Sequence, residues 1–193
     1  MSPHHRQSDI VKALGWFTIV FLLYQNALSQ DIEPRRWSPI PLGTHVLGTG
    51  YSYTSGDVFF DPLLQAEDVK IRAHSLAVSF VQPFKVRNKL ANISLFVPFS
   101  AADWSGLLSG EPAGVNRTGF ADPRIRASVL LAGPPAGNAL ELRQYRIDNP
   151  TSTTVGVSLA VTIPLGEYFE DKLLNLGGNR FVFRPQVGMI HYW

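Results

Sequence analysis

The sequence predicts an all-β fold, an antiparallel transmembrane β-barrel that is incomplete. Three observations predict it: an amino-terminal export signal, repeated alternation of apolar and polar residues with period two, and no long apolar run beyond that signal. Because successive side chains of a strand point to opposite faces, such alternation predicts sheets that are apolar on one side only. We expect the apolar side to contact lipid.

Residues 1–29 have the three parts of a secretory signal peptide. A basic start is followed by the nine-residue apolar run Trp16–Tyr24 and by the small-x-small triplet Ala27-Leu28-Ser29. The apolar run is shorter than the roughly 20 residues that span a bilayer as a helix. We predict cleavage after Ser29, which leaves residues 30–193 as the outer-membrane β-barrel domain. An uncleaved anchor helix is the alternative.

The composition of the 193 residues argues against several functional classes. The 17 basic and 15 acidic residues are interspersed, so no charged block indicates a nucleic-acid partner. The chain has no cysteine, which excludes disulfides, thiolate metal sites and cysteine nucleophiles. No nucleophile elbow, phosphate loop or metal-binding histidine pattern occurs. We therefore predict no cofactor, no metal and no enzymatic activity.

Six segments alternate and predict strands of nearly the length that a membrane strand needs, about 9–11 residues. A secreted β-sandwich would also alternate, but together with the export signal a barrel is favoured, because lipid tolerates a sheet only when its backbone groups are paired. The predicted strands are 45–54, 70–81, 90–99, 120–131, 154–163 and 181–192. We expect Ile93, Leu95, Val129, Val157 and Val161 to face lipid.

The predicted connections alternate between the two sides of the membrane. If the amino terminus starts in the periplasm, Gly56–Asp68, Ala101–Gly119 and Leu165–Arg180 face outward. The short turn Pro83–Lys89 and the longer Gly133–Thr153 then face the periplasm, with a short helix predicted at Ala139–Arg146.

Charged residues on one strand face are the candidate site. Asp122, Arg124 and Arg126 recur with period two, and Arg184 of the last strand is a possible neighbour. Charges lining a lumen set the selectivity of a pore. The alternative is that these charges pair with one another and only keep the lumen packed.

Other residue types have structural interpretations. Acidic residues Glu167, Glu170 and Asp171 form a solvated loop surface rather than a cation site. Inward glycines predict curvature of the wall; they are Gly48, Gly50, Gly156 and Gly188. Aromatic residues are candidates for the girdle at the lipid headgroups; they are Tyr51, Tyr53, Phe99, Phe181 and Phe183.

Six stretches of the mature region carry a family resemblance: Glu33–Gly43, Gly56–Pro62, Trp104–Gly106, Gly119–Arg126, Pro164–Tyr168 and Asn175–Phe181. With them the chain resembles the bacterial outer-membrane family described as "putative MetA-pathway of phenol degradation", whose members are often labelled transporters. The resemblance implies a membrane β-barrel that passes hydrophobic or aromatic compounds.

The resemblance also implies an incomplete barrel. Members of the family are longer, and six strands are fewer than the eight or more of a single-chain barrel. We expect an N-terminal portion that forms an open curved sheet in the bacterial outer membrane. The predicted function is passive diffusion of a small hydrophobic solute through the lumen, with outer-membrane lipid as the other partner. The alternative is a structural or binding barrel without transport.

Overall fold

The computed structural model describes residues 36–193, of which Trp37–Trp193 form one compact unit. The predicted signal peptide lies outside the described residues. The unit contains one α-helix, α1 (Ala139–Asp148), and a 3-10 turn at Pro62–Leu64 among the residues described. Its strands are β1 (Val46–Val58), β2 (Ala66–Val86), β3 (Lys89–Leu108), β4 (Glu111–Phe120), β5 (Arg124–Ala132), β6 (Ser152–Thr162) and β7 (Val182–Tyr192).

All seven strands belong to one antiparallel sheet with six strand positions, which we call paths. The order is β1-β2-β3-β5-β6-β7, and β4 also pairs with β3. β4 pairs with the second half of β3 and β5 with its first half, so β4 and β5 form one path that is interrupted at Ala121–Pro123. The sheet is an open, curled half-barrel. Within residues 36–193, neither β1 nor β7 has a partner on its outer edge, which confirms the open sheet predicted from sequence.

The predicted connection Ala101–Gly119 is wrong. β3 continues to Leu108, and β4 returns from Glu111 through the two-residue turn Ser109-Gly110. Both turn residues have positive φ, 53° and 83°, as the tightest hairpins require. Polar residues interrupt the apolar side of these strands, and this loss of apolar alternation led to the prediction of a loop.

The predicted turn Pro83–Lys89 is too long. β2 runs through Pro83, which lies opposite Asn92 of β3, and ends at Val86. The turn is confined to Arg87-Asn88, and Arg87 has a φ of 54°. The predicted short helix is confirmed as α1, where Asn138 accepts hydrogen bonds from the amides of Leu140 and Glu141.

The two faces of the sheet differ in what lies against them. One, which we call the covered face, contains nearly all the buried strand residues, including Ala73, Ala102, Trp104, Arg126 and Ala160. The opposite face, the bare face, has no segment of residues 36–193 packed over most of its length. Its exposed large apolar side chains are Leu47, Tyr51, Tyr53, Leu76, Val78, Phe80, Ile93, Leu95, Phe99, Phe120, Ile125, Leu159, Phe183, Val187 and Met189.

Register shows that the five residues predicted to face lipid share one face of the sheet. Leu95 and Val161 lie on either side of Ile125, and Val157 lies opposite Val129. Ile93 shares their parity on β3, so all five predicted residues belong to the bare face. The alternation of sequence therefore predicted side-chain direction correctly even where it missed strand ends.

Trp37 fills a slot on the covered face that two glycines create. Gly156 of β6 and Gly188 of β7 are register partners, and a Cβ atom on either would overlap the Trp37 indole. The indole is 9% exposed and forms a cluster with Leu90 and Leu130. We predicted that these glycines curve the wall; the structure shows that they make room for this ring.

The slot predicts a position-specific cost of adding one methyl group. Gly156→Ala should lower the free energy of unfolding by about 1–3 kcal/mol, the usual cost of overpacking. Gly50→Ala is the matched control, because nothing lies within 4 Å of a Cβ atom there. The measurement is the urea midpoint in detergent by circular dichroism. Equal midpoints for the two variants would contradict the slot, and Trp37→Leu should partly rescue Gly156→Ala.

Candidate functional site on the covered face

Three of the four predicted lumen residues lie together on the covered face. Arg124 and Arg126 are on β5, and Arg184 is on β7. In register, Ala160 of β6 lies directly between Arg126 and Arg184. Arg126 is 8% exposed, whereas Arg184 is exposed. The three arginines place guanidinium groups on this part of the covered face.

Arg124 contacts an aromatic ring rather than standing alone in the lumen. Its guanidinium carbon lies 5.2 Å from the centre of the Phe96 ring, its register partner on β3. A guanidinium over a ring face is attracted by the ring quadrupole. The covered face therefore combines cationic groups with aromatic surface at the same level of the sheet.

Asp122 is placed differently from the prediction. It lies in the break between β4 and β5 and not on the strand face of the arginines. Its Oδ1 accepts a hydrogen bond from the Gly166 amide at 2.9 Å, and its Oδ2 accepts one from the Gly178 amide at 2.7 Å. Both bonds are charge-assisted and therefore stronger than bonds between neutral groups. The carboxylate joins the break to the connection between β6 and β7.

This connection, Ile163–Phe181, we call the folded loop. It runs beside the free edge of β4, where the Glu167 amide donates to the Phe120 carbonyl at 2.8 Å. The Gly177 amide donates to the Glu167 carbonyl at 2.9 Å. The Asn175 side chain accepts from the Phe169 amide and donates to two carbonyls of the same loop. The loop is therefore fixed by backbone and amide bonds.

Glycine is required where the folded loop meets Asp122. A Cβ atom on Gly166 would lie 2.7 Å from the Asp122 amide nitrogen. A Cβ atom on Gly177 would lie 2.9 Å from the Gly166 carbonyl. Three of the stretches noted in the sequence thus meet at one point: the Phe120–Pro123 region, Pro164–Tyr168 and Asn175–Phe181.

The acidic residues of the folded loop do not converge. Glu167 lies against Gly119, and Asp171 pairs with Lys172 at 2.7 Å. The hydrogen bond from Lys172 lowers the pKa of the Asp171 carboxyl group. Among residues 36–193, no three His, Asp or Glu side chains are grouped so that they could hold a metal ion.

An apolar cleft of about 140 Å³ lies between the folded loop and the ends of β2, β3 and β4. Trp104 and Val69 are buried in its wall, and Leu174 packs against them from the folded loop. Arg117 stands at the cleft, and its Nε donates to the Leu174 carbonyl at 3.1 Å. Its guanidinium also lies 5.1 Å from the centre of the Phe169 ring.

The sequence pointed to part of this site and missed the rest. Trp37 and Trp104 stood in stretches that carry the family resemblance, but no role was predicted for either. Arg117 was assigned to a connection, because the polar end of β4 lacks apolar alternation. Period-two counting would have placed Arg117 on the covered face if the hairpin turn Ser109-Gly110 had been recognised.

The fold and the covered face define the class of protein: a curled antiparallel half-barrel with an apolar outer surface and a polar, partly filled inner surface. The family described as "Putative MetA-pathway of phenol degradation" matches residues 61–193. The chain belongs to this family. No curated protein and no solved structure matches the chain. Of the helices in residues 36–193, none has the length and apolarity needed to cross a bilayer.

The bonds to Asp122 predict local loosening when the carboxylate is removed. Asp122→Ala leaves the amides of Gly166 and Gly178 without their acceptor, and bonds to charged groups contribute about 1.5–3 kcal/mol each. Amide hydrogen exchange in residues 163–181 should therefore accelerate by at least about tenfold. Asp122→Asn, which keeps one acceptor oxygen, should give exchange rates between those of the unchanged protein and Asp122→Ala.

The control for this loosening is Asp103→Ala, which removes an exposed carboxylate bonded to the Asn116 side chain. It should leave exchange in the folded loop unchanged. Equal acceleration in both variants would show that Asp122 does not hold the loop.

Proposed function

We propose that the chain forms part of the wall of a bacterial outer-membrane channel that passes small hydrophobic or aromatic molecules by passive diffusion along the covered face. Residues 1–29 would direct its export. The observation that carries the proposal is the bare face, whose apolar side chains are unprotected by any other part of Trp37–Trp193. Apolar patches of this extent on soluble monomers are rare.

The height of the bare face fits a membrane. Along β3 its side chains are apolar from Ala91 to Ala101, and Asp103 comes next. These ten residue steps, at about 3.3 Å each and tilted by about 40°, rise roughly 25 Å, the height of the apolar band in outer-membrane barrels. β2 shows the same change, since Arg72 and Lys70 lie beyond its apolar stretch.

Aromatic residues lie at the edge of this band. Tyr51, Phe99 and Phe120 share one register row with Leu76, and the rings of Phe99 and Phe120 are 5.2 Å apart. One step further, Tyr53 lies beside His74, which also hydrogen-bonds the Tyr51 hydroxyl at 2.7 Å. Rings with a polar tip suit the headgroup level of a bilayer.

The mechanism requires no covalent step. A solute would move from the outward end over the positive and aromatic part of the covered face formed by Arg124, Arg126 and Phe96. Arginine and ring faces offer weak, repeated contacts to an aromatic solute, and weak sites permit passage because the solute can leave them.

The open edges set a condition for this function. Unpaired backbone groups in lipid cost several kcal/mol each, so β1 and β7 need strands on their outer sides when the sheet is embedded. β1 and β7 run in opposite directions along the six paths, so an even number of added strands closes the wall with antiparallel pairing throughout. This agrees with the even strand numbers of bacterial barrels.

A barrel without transport is the second candidate function, and one observation favours it. Trp37, Leu42 and Ala136 occupy the covered face near the other end of the sheet and reduce the free space there. A filled interior would serve structure or binding at the outward end only. Measurements of ion selectivity and of phenol uptake separate the two functions.

If the bare face contacts lipid, neighbouring residues of β2 should differ in the folding cost of a charged side chain. Val78→Arg places a charge on the bare face and should cost about 2–4 kcal/mol of folding free energy in lipid. Ala77→Arg is the matched control on the covered face, where its register partner Gly50 leaves open space. The measurement is the folded yield in lipid vesicles, by protease protection. Equal yields would contradict the assignment of the bare face to lipid.

If solutes pass along the covered face, changing a charge there should change ion selectivity and solute uptake. In planar bilayers at low salt, with the wall closed by added strands, Arg184→Glu should shift the reversal potential toward cation preference, because a lumen charge changes sign. Arg72→Glu, beyond the apolar band on the bare face, should leave it unchanged. Cells that export the full chain should take up labelled phenol faster than cells that export Val78→Arg. Unchanged selectivity and uptake would favour the structural barrel.

A further inference from the structure

The apolar cleft lies where the three outward connections meet. Phe60 comes from the connection after β1, Leu108 and Ala113 from the hairpin of β3 and β4, and Leu174 from the folded loop. These segments are far apart in sequence. Together they enclose a space that no single strand could form.

The walls of the cleft are rigid. Val69 lies on the covered face in the same alternation as Ile71 and Ala73, and it is 8% exposed beside Trp104. Gly106 lies opposite, and a Cβ atom on it would be 2.8 Å from the Glu67 carbonyl oxygen. The close backbone approach keeps this position without a side chain and leaves space beside the ring of Trp104.

The size of the cleft indicates the size of its ligand. Its volume is about 140 Å³. An apolar cavity of about 150 Å³ in another protein stays free of water and binds benzene. The space therefore suits one six-membered ring.

The chemistry of the cleft indicates the charge of its ligand. Its walls are mainly aliphatic and aromatic, and Arg117 is held by the Leu174 carbonyl and the Phe169 ring. Lys172 at the rim is paired with Asp171. Both cations are thus already engaged, so the cleft favours an uncharged molecule whose apolar surface contacts Trp104 and Leu174.

We propose that this cleft is a binding site for one compact, uncharged, single-ring molecule. The proposal rests on the channel function, in which the cleft collects the solute at the outward end before it passes along the covered face. Leu174 forms one wall, so the bonds between Asp122 and the folded loop also fix the shape of the site.

Fluorine NMR of the full chain labelled with 5-fluorotryptophan, in detergent, tests the site. The four tryptophans give separate signals, and Trp104→Phe assigns the one at the cleft. Benzene should move the Trp104 signal with saturation. The signal of Trp193, which is 94% exposed, should show only the linear drift of solvent exposure. A linear drift at both positions would overturn the proposal.

Two pairs of variants sharpen the test. Ala113→Phe fills the cleft and should weaken benzene binding by at least about tenfold, whereas Ala101→Phe, the same change on the bare face, should not. Leu174→Ala widens the cleft and should raise the affinity for naphthalene relative to benzene. Equal effects of both phenylalanine variants, or no change of preference with Leu174→Ala, would overturn the site.

These outcomes are independent of transport. Saturable benzene binding without phenol uptake would remove the channel function and leave the cleft as a binding site. Uptake without saturable binding at Trp104 would leave the channel and overturn the cleft.

Discussion

The carboxylate of Asp122 is the interaction on which the part of the sheet next to the folded loop depends. It stands where the path of β4 and β5 is interrupted, and it accepts backbone amides from both ends of the folded loop. Without it, the loop would lose two of the bonds that position it beside β4, whose outer edge carries no partner strand within residues 36–193. Covering such an edge with a loop also prevents it from pairing with other chains. One side chain therefore helps to position the loop that covers this edge and contributes Leu174 to the apolar cleft.

Alternation in the sequence was sufficient to predict the six paths and the direction of their side chains. This prediction depends on the contrast between apolar residues on one strand face and polar residues on the other, and it failed where that contrast ends. Beyond Ala101 on β3 both faces are polar or mixed, so the strand continued where a loop was predicted. Pro83 was predicted to begin a turn, because proline has no amide hydrogen to donate to a neighbouring strand. It lies instead within β2, opposite Asn92 of β3.

The sequence predicted residues that belong to the site but not how they are arranged in three dimensions. Period two placed Arg124, Arg126 and Arg184 on one face, and all three lie on the covered face, because period two fixes parity along a strand. The role of Asp122 could not be predicted, because its partners Gly166 and Gly178 lie more than forty residues away and depend on where β4 ends. The slot for Trp37 escaped prediction for the same reason: two glycines on separate strands define it jointly.

The slot for Trp37 has a consequence for the order of folding. Its two walls come from β6 and β7, so the site for the ring does not exist until the last strand of the sheet has paired. The contact therefore joins residues at opposite ends of the chain, and contacts of such separation form slowly because a long loop must first close. Docking of this ring would then mark the pairing of β7 with β6, and a chain stalled before β7 would carry an exposed indole at Trp37, a feature by which quality control could distinguish it.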